Sequence, residues 1–267
     1  MKIIIAGCTG RMGKALLLRA LKEAEAGHCT LVGATVNPNS PAIGKDLHTI
    51  AGNVGRCGIK ACSDLTHLLA NAEAVINFTT PAYSCLISKI CNKNGLVHIC
   101  GTTGFNEKEL DIIHQSALKS PLLFSANMSI GITILAEMVR QAASKLHPAI
   151  YDADIIEMHH KNKIDSPSGT ALMLGEKIAQ GRHIPLQTYL VNKEKRPNGT
   201  VWFSSVRTGG MIGTHNILFT SEHEIISIQH QSFNRDIYVD GAFKACYWMK
   251  NKPAGKVYTM LDILEQE

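Results

Sequence analysis

The chain has 267 residues, 45% of them hydrophobic and 18% charged, with a formal net charge of +5, a composition that suits one large or two ordinary globular domains and argues against disorder. The basic excess is scattered, and its densest cluster, Lys193-Glu194-Lys195-Arg196, is broken by an acid and followed by the turn Pro197-Asn198-Gly199, which speaks against a nucleic-acid partner. No apolar run approaches the roughly 18 residues of a membrane span, the N-terminus reads as a strand rather than a signal peptide, and eight cysteines without a C-x-x-C pair read as buried free thiols of a cytoplasmic protein.

Residues 1–127 alternate short apolar runs with helical patterns, the order of a parallel sheet with crossover helices. Strands are expected at 2–6, 31–36, 74–78, 96–100 and 121–124. Helices are expected at 14–26, through Ala15, Leu18 and Leu21 with Leu17, and at 82–92, through Leu86 and Ile90. Gly7-Cys8-Thr9-Gly10-Arg11-Met12-Gly13 joins the first strand to the first helix. Glycines there let the backbone approach a pyrophosphate that helix N–H groups receive, although a tight strand-to-helix turn has the same spelling. Phe78-Thr79-Thr80-Pro81, Gly101-Thr102-Thr103-Gly104-Phe105 and Ser125-Ala126-Asn127-Met128 fall at the carboxyl ends of later strands, where open parallel sheets bind ligands. After the second strand stand Asn37 and Pro38. Asparagine can bond a ribose but carries no charge to repel a 2′-phosphate, so the residues do not choose between NADH and NADPH.

Beyond residue 128 the pattern changes to one apolar helix at 130–146, strands at 154–158, 188–191, 201–207, 216–220 and 224–230, and a helical tail from about Val239. The expected fold class is therefore α/β: a Rossmann-type parallel-sheet nucleotide domain plus an α+β domain with a mostly antiparallel sheet. In this second half Glu157-Met158-His159-His160-Lys161-Asn162-Lys163-Ile164-Asp165-Ser166-Pro167-Ser168-Gly169-Thr170-Ala171 sets two imidazoles and an ammonium before a helix start. Lys163 offers a compact charge to a carboxylate or imine, each histidine type titrates near pH 6.5 when unperturbed, and the N–H groups of Gly169 and Thr170 favour an anion. Successive strand residues face opposite ways, so His159 and His160 share a pocket only if the strand ends near Met158. Asp165 lies close to the histidines, but they lack the i, i+4 spacing of a helical zinc motif and no cysteine is near, so no metal is expected. Val206-Arg207-Thr208-Gly209-Gly210-Met211-Ile212-Gly213-Thr214-His215 and Ser232-Phe233-Asn234-Arg235 read as hairpin turns and sheet edges, with Arg235 in a surface ion pair.

The block at 157–171 resembles the signature E-x-H-H-x-x-K-x-D-x-P-S-G-T-A of the dihydrodipicolinate reductases, enzymes of lysine and diaminopimelate biosynthesis, with every fixed position present. The resemblance implies reduction of a cyclic imine bearing two carboxylates by NADH or NADPH. It implies cofactor contacts from Gly7, Cys8, Thr9, Gly10, Arg11, Met12, Gly13, Asn37, Phe78, Thr79, Gly101, Thr102, Thr103, Ser125, Ala126, Asn127 and Met128. Substrate contacts are implied for His160, Lys163, Ser168, Gly169 and Thr170, catalysis for His159 and Lys163, and assembly as a homotetramer through the second domain. It also implies that the tail 239–267 joins the nucleotide domain 1–127, leaving 128–238 for substrate binding and oligomerisation. Hydride addition leaves a carbanion-like centre, which an acid of near-neutral pKa protonates; that role falls to His159, with Lys163 stabilising the developing charge. A dehydrogenase of the homoserine or aspartate type would not explain the His-His-x-x-Lys block, and a nucleotide-sensing regulator would need neither acid nor cation there. The reading also has the site divided between the two halves, with closure excluding water.

Overall fold

The computed structural model describes residues 1–186, 188–190, 196–197 and 199–265. In chain order the elements are β1 (Lys2–Ala6), α1 (Arg11–Glu25), β2 (Thr30–Ala34), α2 (Leu47–Ala51), β3 (Ala74–Asn77), α3 (Pro81–Asn94), β4 (Val97–Cys100), α4 (Glu107–Ser116), β5 (Leu122–Phe124) and α5 (Ile130–Lys145). Then follow β6 (Asp152–His159), α6 (Gly169–Arg182), β7 (Thr188–Leu190), β8 (Val201–Arg207), β9 (Gly213–Thr220), β10 (Ile225–Ser232), α7 (Asp236–Trp248), β11 (Val257–Tyr258) and α8 (Met260–Leu264). Val191, the charged run 193–195, Asn198 and the last two residues of the tail lie outside the described residues. No helix among the described residues is long and apolar enough to cross a membrane.

The chain divides into two units, Met1–Met128 with Tyr238–Glu267, and Ser129–Ile237. The first holds a six-stranded sheet in the order β11-β5-β4-β3-β1-β2, parallel throughout. Ile3, Ile4, Ile5, Ala74, Val75 and Ile76 are all buried, as strands with helices on both faces require. Asn106 and Glu109 form a reciprocal cap on α4, and Pro81 opens α3 where its missing N–H costs nothing.

Two helical faces differ from the sequence expectation. On α1 the buried stripe is Gly13, Leu16, Leu17, Ala20 and Leu21, not Ala15 and Leu18, because Gly13 is seated on the loop: a Cβ there would lie 2.0 Å from the Gly7 carbonyl oxygen. On α3 the inward residues are Ser84, Cys85, Ile87, Ser88 and Cys91, while Leu86 is exposed. Hydrophobicity alone misplaces this face because the serines make buried hydrogen bonds.

The second unit is a five-stranded sheet in the order β10-β9-β6-β8-β7. β9 runs antiparallel to both β10 and β6, whereas β8 runs parallel to β6 and β7. The longer ladders are thus mostly antiparallel. One face packs Ala153, Ile155, Val201, Phe203, Ile217 and Phe219 against Ile132, Leu135 and Val139 of α5 and Ala171, Leu174 and Ile178 of α6. Alternation along β6 carries this face on to Glu157 and His159, both buried. A hydrophobic face therefore ends in an acid and an imidazole.

Candidate active site

In the first unit the segments singled out in the sequence all follow the carboxyl ends of neighbouring parallel strands. Gly7 has φ +73°, and a Cβ on it would stand 2.5 Å from the Thr79 methyl. One on Gly101 would enter the Phe78 ring at 2.2 Å. The glycines therefore bring three loops together. Gly10 caps α1 without a side chain, so no side-chain cap covers the first-turn N–H groups, which suits a pyrophosphate. The chain's own residues thus fit a dinucleotide.

Several of these positions act from behind the surface. Cys8 is fully buried and its N–H donates to the Thr35 carbonyl at 2.9 Å. The Thr102 hydroxyl accepts from the Thr79 N–H at 2.9 Å and the Ser84 hydroxyl at 2.8 Å. Asn77 accepts from the Thr79 hydroxyl at 2.7 Å, donates to Ser84 at 2.9 Å and faces His98 Nε2 at 3.3 Å. His98 is wholly buried, and burial pushes its pKa down to about 3, so the web runs on a neutral imidazole. The Ser125 hydroxyl donates to the Asn127 carbonyl at 2.7 Å, and Met128 is buried against Gly241 of α7. Asn37 is exposed, and its side-chain oxygen accepts the Asn39 N–H at 2.9 Å.

In the second unit β6 ends at His159, one residue beyond the expected stop, and His160 lies just outside the strand. The register sets His159 opposite Arg207 on β8 and Glu157 opposite His215 on β9. Glu157, fully buried, uses one carboxylate oxygen for Arg207 at 2.6 Å and the Ser168 N–H at 3.3 Å. Its other oxygen meets His159 Nδ1. The His215 ring packs edge-on against His159, centroids 5.1 Å apart at 73°, and a Cβ on Gly213 would lie 3.0 Å from His159 Nε2. His159 is thus held on one nitrogen and leaves the other beside a glycine.

Lys163 Nζ meets the Asp165 carboxylate at 2.8 Å, and Arg207 reaches the Asp165 carbonyl at 2.6 Å, so Lys163, Asp165, Arg207, Glu157 and His159 form one connected chain. Ser168 is the buried N-cap of α6: its hydroxyl accepts from the Ala171 N–H at 3.2 Å and lies 3.3 Å from His215 Nε2. Gly169 and Thr170 open the helix. Arg235, expected in a surface ion pair, makes none among the described residues.

Burial alone would raise the Glu157 carboxyl, but its bonds from His159 and Arg207 outweigh that and hold its pKa at about 2. Desolvation, reinforced by His159, pushes His215 down to about 3. Asp165 is likewise lowered: the hydrogen bond and charge of Lys163 overcome its partial burial. Glu157, His159 and His215 bring ligand-type atoms within 4.8 Å of one another, yet the carboxylate is already paired with a guanidinium, which opposes a cation. The group is better described as a hydrogen-bonded acid–imidazole pair. Sequence reasoning singled out neither Glu157, Arg207, Gly213 nor His215 as working parts. For Arg207, Gly213 and His215 the signal lies in the cross-strand register, which spacing along one strand does not reveal, whereas Glu157 shares the face of His159 by strand alternation.

Comparison with known proteins agrees with this geometry. The dihydrodipicolinate reductase N-terminus family matches residues 1–128 and its C-terminus family residues 131–264. A 4-hydroxy-tetrahydrodipicolinate reductase of Bartonella tribocorum is 38% identical over 99% of this chain and 98% of its own. That of Rhizobium rhizogenes is 39% identical over 99% and 96%. Among solved structures, dipicolinate-bound dihydrodipicolinate reductase from Paenisporosarcina sp. TG-14 shares the fold with TM-score 0.74 at 24% identity, covering 97% of each chain. With both halves matched in order along nearly its whole length, this chain belongs to the dihydrodipicolinate reductase family.

Proposed function

We propose that the protein reduces 4-hydroxy-tetrahydrodipicolinate to tetrahydrodipicolinate, with His159 as proton donor and Lys163 as the cation for the substrate's developing charge. The observation that carries this is His159, buried to 7% exposure at the end of a hydrophobic sheet face and bonded through Nδ1 to an ionised glutamate. A bound nicotinamide nucleotide supplies the hydride. The glycine loop and the uncapped start of α1 hold its phosphates. His159 delivers a proton from Nε2, while Lys163, His160 and the first turn of α6 at Ser168, Gly169 and Thr170 receive the carboxylates.

The hydride donor is NADH or NADPH: Asn37, beyond the end of β2, is an exposed asparagine turned to its own loop and carries no charge to repel a 2′-phosphate. The test is an absorbance assay following each nucleotide separately, with the cyclic imine supplied by the preceding reaction. His159→Gln and Lys163→Ala should each lose about 100-fold or more in turnover; near-parental rates in either would overturn its assignment.

The sheet face of the second unit turned away from α5 and α6 carries Ile156, Met158 and Leu218, partly open, and Val206 and Ile225, 41% and 63% exposed. Such a face suits self-association into a homotetramer. Sedimentation at micromolar concentration tests it, a monomer being the contrary result. Eight cysteines, all as free thiols, suit a reducing cytoplasm.

A further inference from the structure

We propose that Glu157 is a positioning residue for the reduction, fixing His159 in the tautomer that carries its proton on Nδ1 and so aiming Nε2 at the substrate. This rests on the role given to His159 above. It goes further by assigning work to a fully buried residue that acts through His159.

The argument starts from how the carboxylate divides its two oxygens. Oε1 accepts from Arg207 Nη2 at 2.6 Å and from the Ser168 N–H at 3.3 Å, and both donors are fixed, one by charge and one by the main chain at a helix start. Oε2 meets His159 Nδ1. An ionised carboxylate can accept but not donate, so Nδ1 must bear a hydrogen whenever this bond exists. The ring is held on its flank by His215, 5.1 Å away and edge-on. His215 is itself buried and neutral, so it adds no competing charge. Nε2 is left beside Gly213, where the absent Cβ leaves room.

Proton transfer then balances. The Nε2–H bond of the imidazolium breaks, its proton forms a C–H bond with the electron pair that hydride addition placed on the ring carbon, and His159 remains neutral with hydrogen on Nδ1. Glu157 and Arg207 keep their charges throughout. Solvent returns the proton to Nε2 for the next turnover.

Glu157→Gln separates this role from mere packing. The amide has the same shape but one acceptor oxygen, which Arg207 and Ser168 claim at the Oε1 position. Its NH2 group then faces His159 and demands a bare Nδ1, which moves the hydrogen to Nε2. Nitrogen-15 spectra of histidine-labelled protein, in the neutral-imidazole range, should therefore show Nδ1–H in the parent and Nε2–H in Glu157→Gln. Turnover should fall by about 100-fold or more while the KM values for imine and nucleotide stay within about twofold. A parent spectrum with Nε2–H overturns the proposal without any variant, so a variant that fails to fold leaves it testable. Parental turnover in Glu157→Gln also overturns it, whatever the tautomer. If His159→Gln itself keeps full turnover, the reading beneath fails instead, and the two failures are distinct.

Discussion

Replacing Gly213 by alanine tests the placement of His159 without touching its chemistry. Gly213 opens β9 in extended backbone, where alanine is unstrained. The new Cβ would lie 3.0 Å from His159 Nε2, 3.3 Å from Cδ2 and 3.7 Å from His215 Cε1. Ordinary contact begins near 3.4 Å, so the imidazole must give by a few tenths of an ångström. It is pinned by Glu157 on the far side and His215 on its flank. Since a displacement of about 1 Å at a reacting group costs on the order of 100-fold, this smaller push should lower kcat roughly tenfold. Stability should change by no more than about 1 kcal/mol, because alanine also restricts the unfolded chain. The assay is steady-state turnover with urea unfolding as control, repeated in a His159→Gln background, where the second change should cost nothing further. Parental kcat in Gly213→Ala, or an equal loss in the double variant, would refute the placement of the ring.

Asp165→Asn removes the charge that holds Lys163 at 2.8 Å. The pair is partly exposed and worth up to about 1 kcal/mol, so a planar pyridine dicarboxylate should bind up to about fivefold more tightly by calorimetry; weaker binding would mean that Asp165 aims Lys163 rather than competing for it. His98 has a folded pKa of about 3 against an unfolded value near 6.5, so the unfolded chain binds the proton first. Stability is full above about pH 6.5 and falls as pH drops toward about 3; by pH 4.5 the loss should reach about 2 to 3 kcal/mol. Urea midpoints at pH 7 and 4.5 should reveal it, and His98→Gln should flatten that part of the slope. Dialysis against a chelator should leave turnover unchanged, since Glu157 already has Arg207 as its counter-charge; loss of activity restored by zinc would contradict the acid–imidazole description.

The α/β plan was legible because its strands are spelled in uninterrupted apolar runs such as Ile3-Ile4-Ile5, and a strand buried on both faces has no other spelling. Helix faces were harder. Ser84 and Ser88 look like solvent residues until Asn77 and His98 are placed against them, and Leu86 looks like core until α3 is turned by those bonds. The five-residue α2 is too short to show a helical period; its cap Asp46 accepts from the His48 N–H and, from the following loop, from the N–H groups of Cys57 and Gly58.

The fifteen-residue block marks where the basic pocket begins, and within it Glu157 and His159 are two apart on a strand and must share a face. Along the chain this reads as an acid before two histidines. Folded, the acid is the sole carboxylate on β6's buried face, which makes sense only if its charge is answered locally. Arg207 answers it from fifty residues away, and only the parallel pairing of β6 with β8, residue 159 against 207, puts it there. An ionised carboxylate at this depth costs several kcal/mol unless paired. The cost is offset by the guanidinium, and the carboxylate oxygen turned from it meets Nδ1 of His159. The histidine's orientation is therefore a property of the sheet register, and a change that shifted β8 against β6 would disable His159 without altering any residue of the block.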